Sequence, residues 1–203
     1  MLIKLIFFIC FFIPVSLSSQ NADIRLLRTI NSSETLPSDD FFRFVSNSEV
    51  YIVIGTPAIL ATTGLLTDDS KMIRNAVVLL AGEAINTGLI LALKYSVNRD
   101  RPYLTYPDIT QKISVGTPSF PSGHTSSAFA TATSVSLAYP KWYVIAPSFT
   151  WAGAVSYSRM HLGVHYPTDV LAGAVIGAGS AYLTYKINQR LNIKRRIKPC
   201  DCP

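Results

Sequence analysis

Long apolar stretches separated by short polar connections make up most of the chain from Val50 onward. Stretches of this kind, interrupted by few charges, are typical of helices that cross a bilayer. Some are shorter than the ~20 residues of a full span, so neighbouring helices and flanking residues must complete the crossing. The pattern predicts an all-α, membrane-embedded bundle of five core spans, at 51–66, 75–93, 126–139, 142–157 and 170–187.

Residues 1–19 carry a different signal. Lys4 precedes an apolar run of about 13 residues, LIFFICFFIPVSL, and small residues follow at Ser16, Ser18 and Ser19. A basic start, a short apolar run and a small-residue site are typical of a secretory signal peptide. An uncleaved first transmembrane helix is the alternative, because the run is short and contains Pro14.

Residues 20–49 are polar and mixed, with apolar positions at helical spacing on either side of the break NSSETLPSDD. This pattern predicts two short helices that lie along the membrane surface, with Phe41, Phe42 and Phe44 dipping into it. A helical hairpin packed on the main body explains the pattern equally well. The bundle is then expected to cover 50–190, followed by a basic tail at 191–203.

Composition agrees with a membrane protein. Charged residues form 15% of the chain and apolar ones 49%, whereas soluble proteins average about 25% charged residues. The net charge of +6 does not indicate a nucleic-acid partner, because the basic residues are not interleaved with aromatic ones on a polar face. The three cysteines do not form a set of four ligands, so no metal site is predicted.

Basic residues set the expected orientation. The segment after Tyr185 is rich in Lys and Arg, which places it in the cytoplasm by the positive-inside rule. Counting back through five spans puts the loops 94–121 and 158–167 together on the outer face. The chain's three histidines, His124, His161 and His165, then all lie on that side.

The outer loops hold residue types suited to phosphate chemistry. Lys94, Arg101 and Arg159 supply positive charge for phosphate oxygens. Ser122 and Gly123 precede a predicted helix, whose first N–H groups can point at an anion. Two histidines allow one to attack phosphorus while the other protonates the leaving group. Taken singly, the cations also fit snorkelling residues, and the serine also fits an ordinary helix cap.

The spacing of these residues resembles that of the type 2 phosphatidic acid phosphatase and vanadium haloperoxidase superfamily. Its three motifs are matched by Lys94-x6-Arg101-Pro102, Pro121-Ser122-Gly123-His124 and Ser158-Arg159-x5-His165-x3-Asp169. The resemblance covers roughly residues 50–190. It implies a helical bundle and a phosphatase that needs neither a metal nor another cofactor.

The resemblance also implies roles for individual residues. His165 is expected to be the nucleophile that forms a phosphohistidine, and Asp169 to orient its ring. His124 is expected to act first as general acid and then as the base that activates water. The phosphoryl oxygens are expected to be held by Lys94, Arg101, Ser122, Gly123 and Arg159. His161 is not a motif position and is expected to be structural or to lie at the rim of the site. Independently of the resemblance, Glu83 is an acid inside an apolar run and is expected to hydrogen-bond a neighbouring helix.

The leading hypothesis is therefore an integral phosphatase of the bacterial inner membrane with its active site facing the periplasm. Its substrates would be lipid phosphate monoesters or pyrophosphates, such as phosphatidic acid, phosphatidylglycerophosphate, undecaprenyl pyrophosphate or lipid A phosphate. A periplasmic acid phosphatase acting on soluble esters is the second hypothesis, and the apolar runs disfavour it. A vanadium haloperoxidase and a catalytically silent lipid-binding protein are more remote.

Overall fold

A computed structural model describes residues 16–197, and this part of the chain contains helices and no strand. The prediction of an all-α fold is confirmed for these residues. Most of the predicted signal segment lies outside the described range. The helices are α1 Ser16–Ile30, α2 Ser38–Leu66, α3 Ser70–Val97, α4 Pro102–Thr105, α5 Gly123–Ala138, α6 Trp142–His161 and α7 Pro167–Ile197.

Each of the five predicted spans corresponds to one long helix, namely α2, α3, α5, α6 or α7. Within residues 16–197, three helical stretches are long and apolar enough to cross a membrane: Ser38–Leu66, Ser70–Thr105 and Pro167–Leu191. Helices α5 and α6, of 16 and 20 residues, are not among them, so the count of five spans stays a prediction. Helix α7 continues to Ile197 and includes part of the predicted basic tail.

The segment 38–49 is not a separate surface helix as predicted. It is the first part of α2, which runs without a break into the first apolar stretch. Neither glycine nor proline occurs between Ser38 and Ile54, so nothing in this stretch interrupts the helix. Phe41 and Phe44 are exposed, but Phe42 packs against the rings of Tyr157 and His161, with centroids 5.2 and 4.3 Å away.

Helix α5 lies at the centre of the bundle and packs closely against α7. Small residues make this approach possible. A Cβ atom added at Gly177 would overlap the carbonyl oxygen of Ser126, and one added at Gly173 would overlap that of Ser122. Gly173 and Gly177 thus form a small-residue packing surface on α7, and α5 is its partner.

Large apolar side chains point outward along the three candidate spans. Ile54, Val77, Leu171 and Val175 are all at least 59% exposed. So much apolar surface is typical of helices that contact lipid. Glu83, the acid within α3, accepts a hydrogen bond from Thr131 Oγ1 of α5 at 2.9 Å, which confirms the predicted contact with a neighbouring helix.

Helix α1 packs on the end of the bundle where the motif loops meet. Ile24 and Leu27 are buried against Ile109 and Tyr166. Beyond the end of α1, the Asn31 amide donates to the carbonyl of His161 at 2.8 Å. The residues after the predicted signal segment therefore belong to the packed body of the protein.

Candidate active site

The motif residues that lie far apart in the chain meet at one end of the bundle. Each comes from the end of a helix or the loop beside it. The structure brings them close together: His165 lies 3.4 Å from Arg101 and 3.5 Å from Asp169. They are Lys94 in the last turn of α3, Arg101 before α4, His124 in the first turn of α5, Arg159 in the last turn of α6, His165 before α7 and Asp169 in the first turn of α7.

His165 and Asp169 form a buried pair. The distance from His165 Nδ1 to Asp169 Oδ2 is 3.5 Å, and both side chains are almost fully buried. The other ring nitrogen, Nε2, lies 3.4 Å from Nη1 of Arg101. A carboxylate next to Nδ1 favours the tautomer with its proton there, which leaves the lone pair on Nε2. The basic nitrogen of His165 therefore faces a cation.

Asp169 is itself held by three donors. Its Oδ2 accepts from the Ser119 hydroxyl at 2.5 Å and from the Tyr166 N–H at 3.0 Å. Its Oδ1 accepts from Arg99 Nη1 at 2.7 Å. Several donors to one buried carboxylate keep it ionised and fix its rotamer. The carboxylate that faces His165 is therefore oriented before any substrate binds.

The three motif cations are buried and bound to neutral oxygens. Arg101 donates from Nε to the Thr117 carbonyl at 2.8 Å and from Nη1 to the Val164 carbonyl at 2.6 Å. Lys94 donates to the Pro118 carbonyl at 2.5 Å. Because carbonyl groups carry no net charge, these positive charges are available to an anion.

Arg159 completes the cationic group from the α6 side. Its Nη1 donates to the Ser46 hydroxyl of α2 at 2.6 Å. Its Nε is buried and has no hydrogen-bond partner among the described residues. A buried, unpartnered donor of a guanidinium is costly unless a ligand accepts from it. The site thus holds a donor that an anionic oxygen can satisfy.

Both candidate catalytic histidines are neutral at pH 7. Burial, followed by the positive charge of Arg159, lowers the pKa of His124 to about 3. Burial also lowers the pKa of His165 to about 3, although Asp169 acts in the opposite direction. A bound phosphate would offset the cations and make protonation of His124 easier.

The backbone around Ser122 differs in part from the expectation. The Ser122 N–H donates to the carbonyl of Asp169 at 3.0 Å, so it is not directed at a phosphate. The Ser122 hydroxyl donates to Thr125 Oγ1 at 3.0 Å. Within the described part of the chain no acceptor contacts the Gly123 N–H, which remains a candidate anion donor. Ser122 thereby links the second motif to the third.

Sequence reasoning missed Arg99 and Ser119, which both donate to Asp169. Arg99 lies inside the variable part of the first motif, and a charge two residues before Arg101 was the only local signal. His161, expected to be structural, is buried with Nε2 at 2.7 Å from Asp39 Oδ1. Lys112 contacts the same carboxylate at 2.8 Å, so this cluster ties α2 to α6 and to the 106–122 loop.

Known proteins are similar to this region in sequence, and a solved structure is similar to it in fold. The chain is 36% identical over 75 residues to the lipid A 4′-phosphatase of Bacteroides thetaiotaomicron, a match to 37% of this chain and 33% of that protein. It is 40% identical over 117 residues to the decaprenylphosphoryl-5-phosphoribose phosphatase of Mycolicibacterium smegmatis, covering 56% of this chain and 60% of the relative. The chain therefore matches less than two thirds of the length of either relative.

A solved structure extends the similarity to most of the chain. The structure of Aquifex aeolicus LpxE superposes with a TM-score of 0.71 at 28% identity, covering 81% of this chain and 95% of that one. The profile of the PAP2 superfamily matches residues 75–193, which include every motif position described above. By the match of its sequence over more than half its length, the chain belongs to the PAP2 superfamily.

Proposed function

We propose that this protein is an integral membrane phosphatase that hydrolyses lipid phosphate monoesters or pyrophosphates through a phosphohistidine intermediate. The observation that carries the proposal is the orientation of His165. Its Nδ1 faces Asp169 and its Nε2 faces Arg101. A basic nitrogen beside a cation that can hold a phosphate is the arrangement that nucleophilic attack on phosphorus requires.

In the first step the Nε2 lone pair of His165 forms a bond to phosphorus while the bond to the leaving oxygen breaks. His124 donates a proton to that oxygen, and Asp169 stabilises the positive charge that develops on the His165 ring. Lys94, Arg101 and Arg159 neutralise the phosphoryl oxygens, where charge accumulates in the transition state. The negative charge of the bound substrate raises the pKa of His124, which allows it to carry the proton.

In the second step water attacks phosphorus and the bond from phosphorus to Nε2 breaks. His124, now neutral, takes the proton from the water molecule. Inorganic phosphate leaves, and His165 returns to its neutral form. His124 therefore regains from water in the second step the proton that it gave to the leaving oxygen in the first.

The surroundings of the site support a lipid as the substrate. The bundle exposes apolar side chains along its candidate spans, so the acyl or prenyl chains of a lipid can stay in the bilayer. Both sequence relatives are named as phosphatases of a phosphate carried by a lipid. We propose residues 50–190 as the phosphatase domain and the loop 103–120 as the main determinant of specificity.

The proposed location is the periplasmic face of the inner membrane. Lys71 and Arg74 line a pocket with Asn188 and Gln189 at the beginning of α3 and the distal part of α7. The motif residues lie at the opposite ends of these helices. Basic residues favour the cytoplasmic side, so the active site would face outward.

The test is phosphate release by the purified protein from lipid A, phosphatidylglycerophosphate and undecaprenyl pyrophosphate in detergent. His165→Ala should abolish release from every lipid that the unmodified protein hydrolyses. Rapid quenching with a ³²P-labelled substrate should trap an alkali-stable label that His165→Ala lacks. Melting curves must show that the variant is folded. Release at the unmodified rate by a folded His165→Ala variant would eliminate the nucleophile assignment.

A further inference from the structure

The N-terminal helix carries a carboxylate that reaches the residues around the active site. Asp23 of α1 is only 4% exposed. Its Oδ2 accepts from Arg99 Nη2 at 2.9 Å, and its Oδ1 accepts from the backbone N–H of Thr168 at 2.8 Å. The Thr168 hydroxyl also donates to Asp23. Asp23 lies outside the region that matches the superfamily profile.

The same donors lead directly to Asp169. Arg99 donates from Nη1 to Asp169 Oδ1 at 2.7 Å and to Thr168 Oγ1 at 2.8 Å. Thr168 is the residue before Asp169 and lies in the same first turn of α7. A continuous series of polar contacts therefore runs from Asp23 through Arg99 to Asp169 and on to His165.

One guanidinium is thus shared by two carboxylates. Arg99 also lies over the ring of Tyr166, with its central carbon 3.7 Å from the ring centroid, so its position is fixed from a third direction. The carboxylate of Asp23 offsets part of the positive charge of Arg99. Without Asp23 that charge would act fully on Asp169 and weaken the interaction of Asp169 with His165.

We propose that Asp23 is a positioning residue for the reaction, and that it acts through Arg99 and Thr168 on the orientation and effective charge of Asp169. Helix α1 then supplies a residue that positions the catalytic groups of the active site. This inference rests on the proposed function, because it assigns Asp23 to the pair that activates His165.

The alternative is that Asp23 only docks α1 on the bundle. A second contact of the same helix separates the two explanations. Arg28 forms a two-pronged ion pair with Asp108, at 2.6 and 3.1 Å, and both side chains are about half exposed. This pair also attaches α1, but it does not touch Arg99, Thr168 or Asp169. Arg28→Gln is therefore a matched control for docking alone.

The experiment compares Asp23→Asn, Arg28→Gln, Arg99→Gln and the double variant Asp23→Asn/Arg99→Gln in the phosphate-release assay. Asp23→Asn should lower kcat about tenfold with little change in KM, as outer partners of a functional histidine do. Its profile of kcat against pH should move to lower pH by about 0.5 unit, because uncompensated positive charge lowers the pKa of both histidines. Arg28→Gln should change neither kcat nor its pH profile.

Two comparisons decide the outcome. If Asp23 acts through Arg99, Asp23→Asn should cost much less in the Arg99→Gln background than in the unmodified protein. The inference is overturned if the cost is the same in both backgrounds, or if Asp23→Asn and Arg28→Gln have equal effects on kcat and pH profile.

His165→Ala is included in the same series to separate two kinds of failure. If His165→Ala is inactive while Asp23→Asn keeps the kcat and pH profile of the unmodified protein, the inference fails and the proposed function stands. If it is folded and active, the nucleophile assignment fails and takes the catalytic role of Asp23 with it.

Discussion

Replacement of Asp169 by asparagine tests the proposed chemistry most directly, because it removes one charge and keeps the shape of the side chain. Asp169 is fully buried, and its Oδ2 lies 3.5 Å from His165 Nδ1. At this distance a full charge on the ring and one on the carboxylate attract by about 5 kcal/mol, at an effective dielectric constant of about 20. The attraction matters when the ring becomes cationic on bonding to phosphorus.

Part of this attraction is already offset in the unmodified protein. Arg99 donates to the other oxygen of the same carboxylate at 2.7 Å and carries the opposite charge to it. We therefore expect Asp169→Asn to raise the barrier by about 3–4 kcal/mol, which lowers kcat by about 10²–10³. KM should change little, because Asp169 acts on the ring and does not contact the lipid.

The assay is steady-state phosphate release in detergent, with melting curves to monitor folding. Some loss of stability is expected, because Arg99 would then face an amide in place of a carboxylate. Asp40→Asn is the control: it makes the same chemical change on a side chain that is 91% exposed, and it should leave kcat unchanged. An Asp169→Asn variant that keeps more than about a tenth of the unmodified kcat would refute the assigned role.

Two further predictions concern stability. The pKa of His165 is about 3 in the folded protein and ~6.5 in the unfolded chain, so the unfolded chain binds the proton first and stability falls as the pH drops from about 6.5 towards 3. Melting curves between pH 7 and 4 should show this loss, and His165→Gln should reduce the slope of melting temperature against pH. Equal slopes for His165→Gln and the unmodified protein would contradict the prediction. Gly177→Ala should lower the melting temperature, at a cost of about 1–3 kcal/mol, because the new methyl group overlaps the Ser126 carbonyl. Gly179→Ala is the control and should leave the melting temperature unchanged, because no atom lies within 4 Å of the added Cβ. Equal melting temperatures of the two variants would argue against close packing of α5 on α7.

The sequence was informative where one residue type at one spacing is required. The three motifs predicted which side chains meet, because the alternation of apolar and polar segments places the loops 94–121 and 158–167 on the same side of the bundle. The structure brings Lys94, Arg101 and His165 together as expected.

No motif or spacing in the sequence indicated the side chains that hydrogen-bond Asp169. Arg99 and Ser119 lie 70 and 50 residues from it in the chain, and Asp23 lies 76 residues from Arg99. Side-chain hydrogen bonds between distant segments leave no periodic trace in one sequence. They depend on the packing of α1 and of the loops, which hydropathy does not specify.

The pattern of apolar and polar residues also did not predict that α2 begins at Ser38 and runs without a break. Residues 38–49 are polar enough to suggest a surface helix, yet they form the first part of α2, and one face of this part is buried against the rest of the protein. Asp39 and Ser46 are buried there by contacts with His161 and Arg159.

The close contact between α5 and α7 has a consequence for the chemistry as well as for stability. His124 lies in the first turn of α5, and Asp169 in the first turn of α7. The two glycines that let these helices approach each other therefore help to fix the distance between the proposed proton donor His124 and the proposed nucleophile His165. A side chain wedged between the helices would widen this gap, and displacements of about 1 Å are enough to cost an enzyme ~10²-fold in rate. Under the proposed mechanism, glycine at these two buried positions would therefore be required for activity as well as for packing.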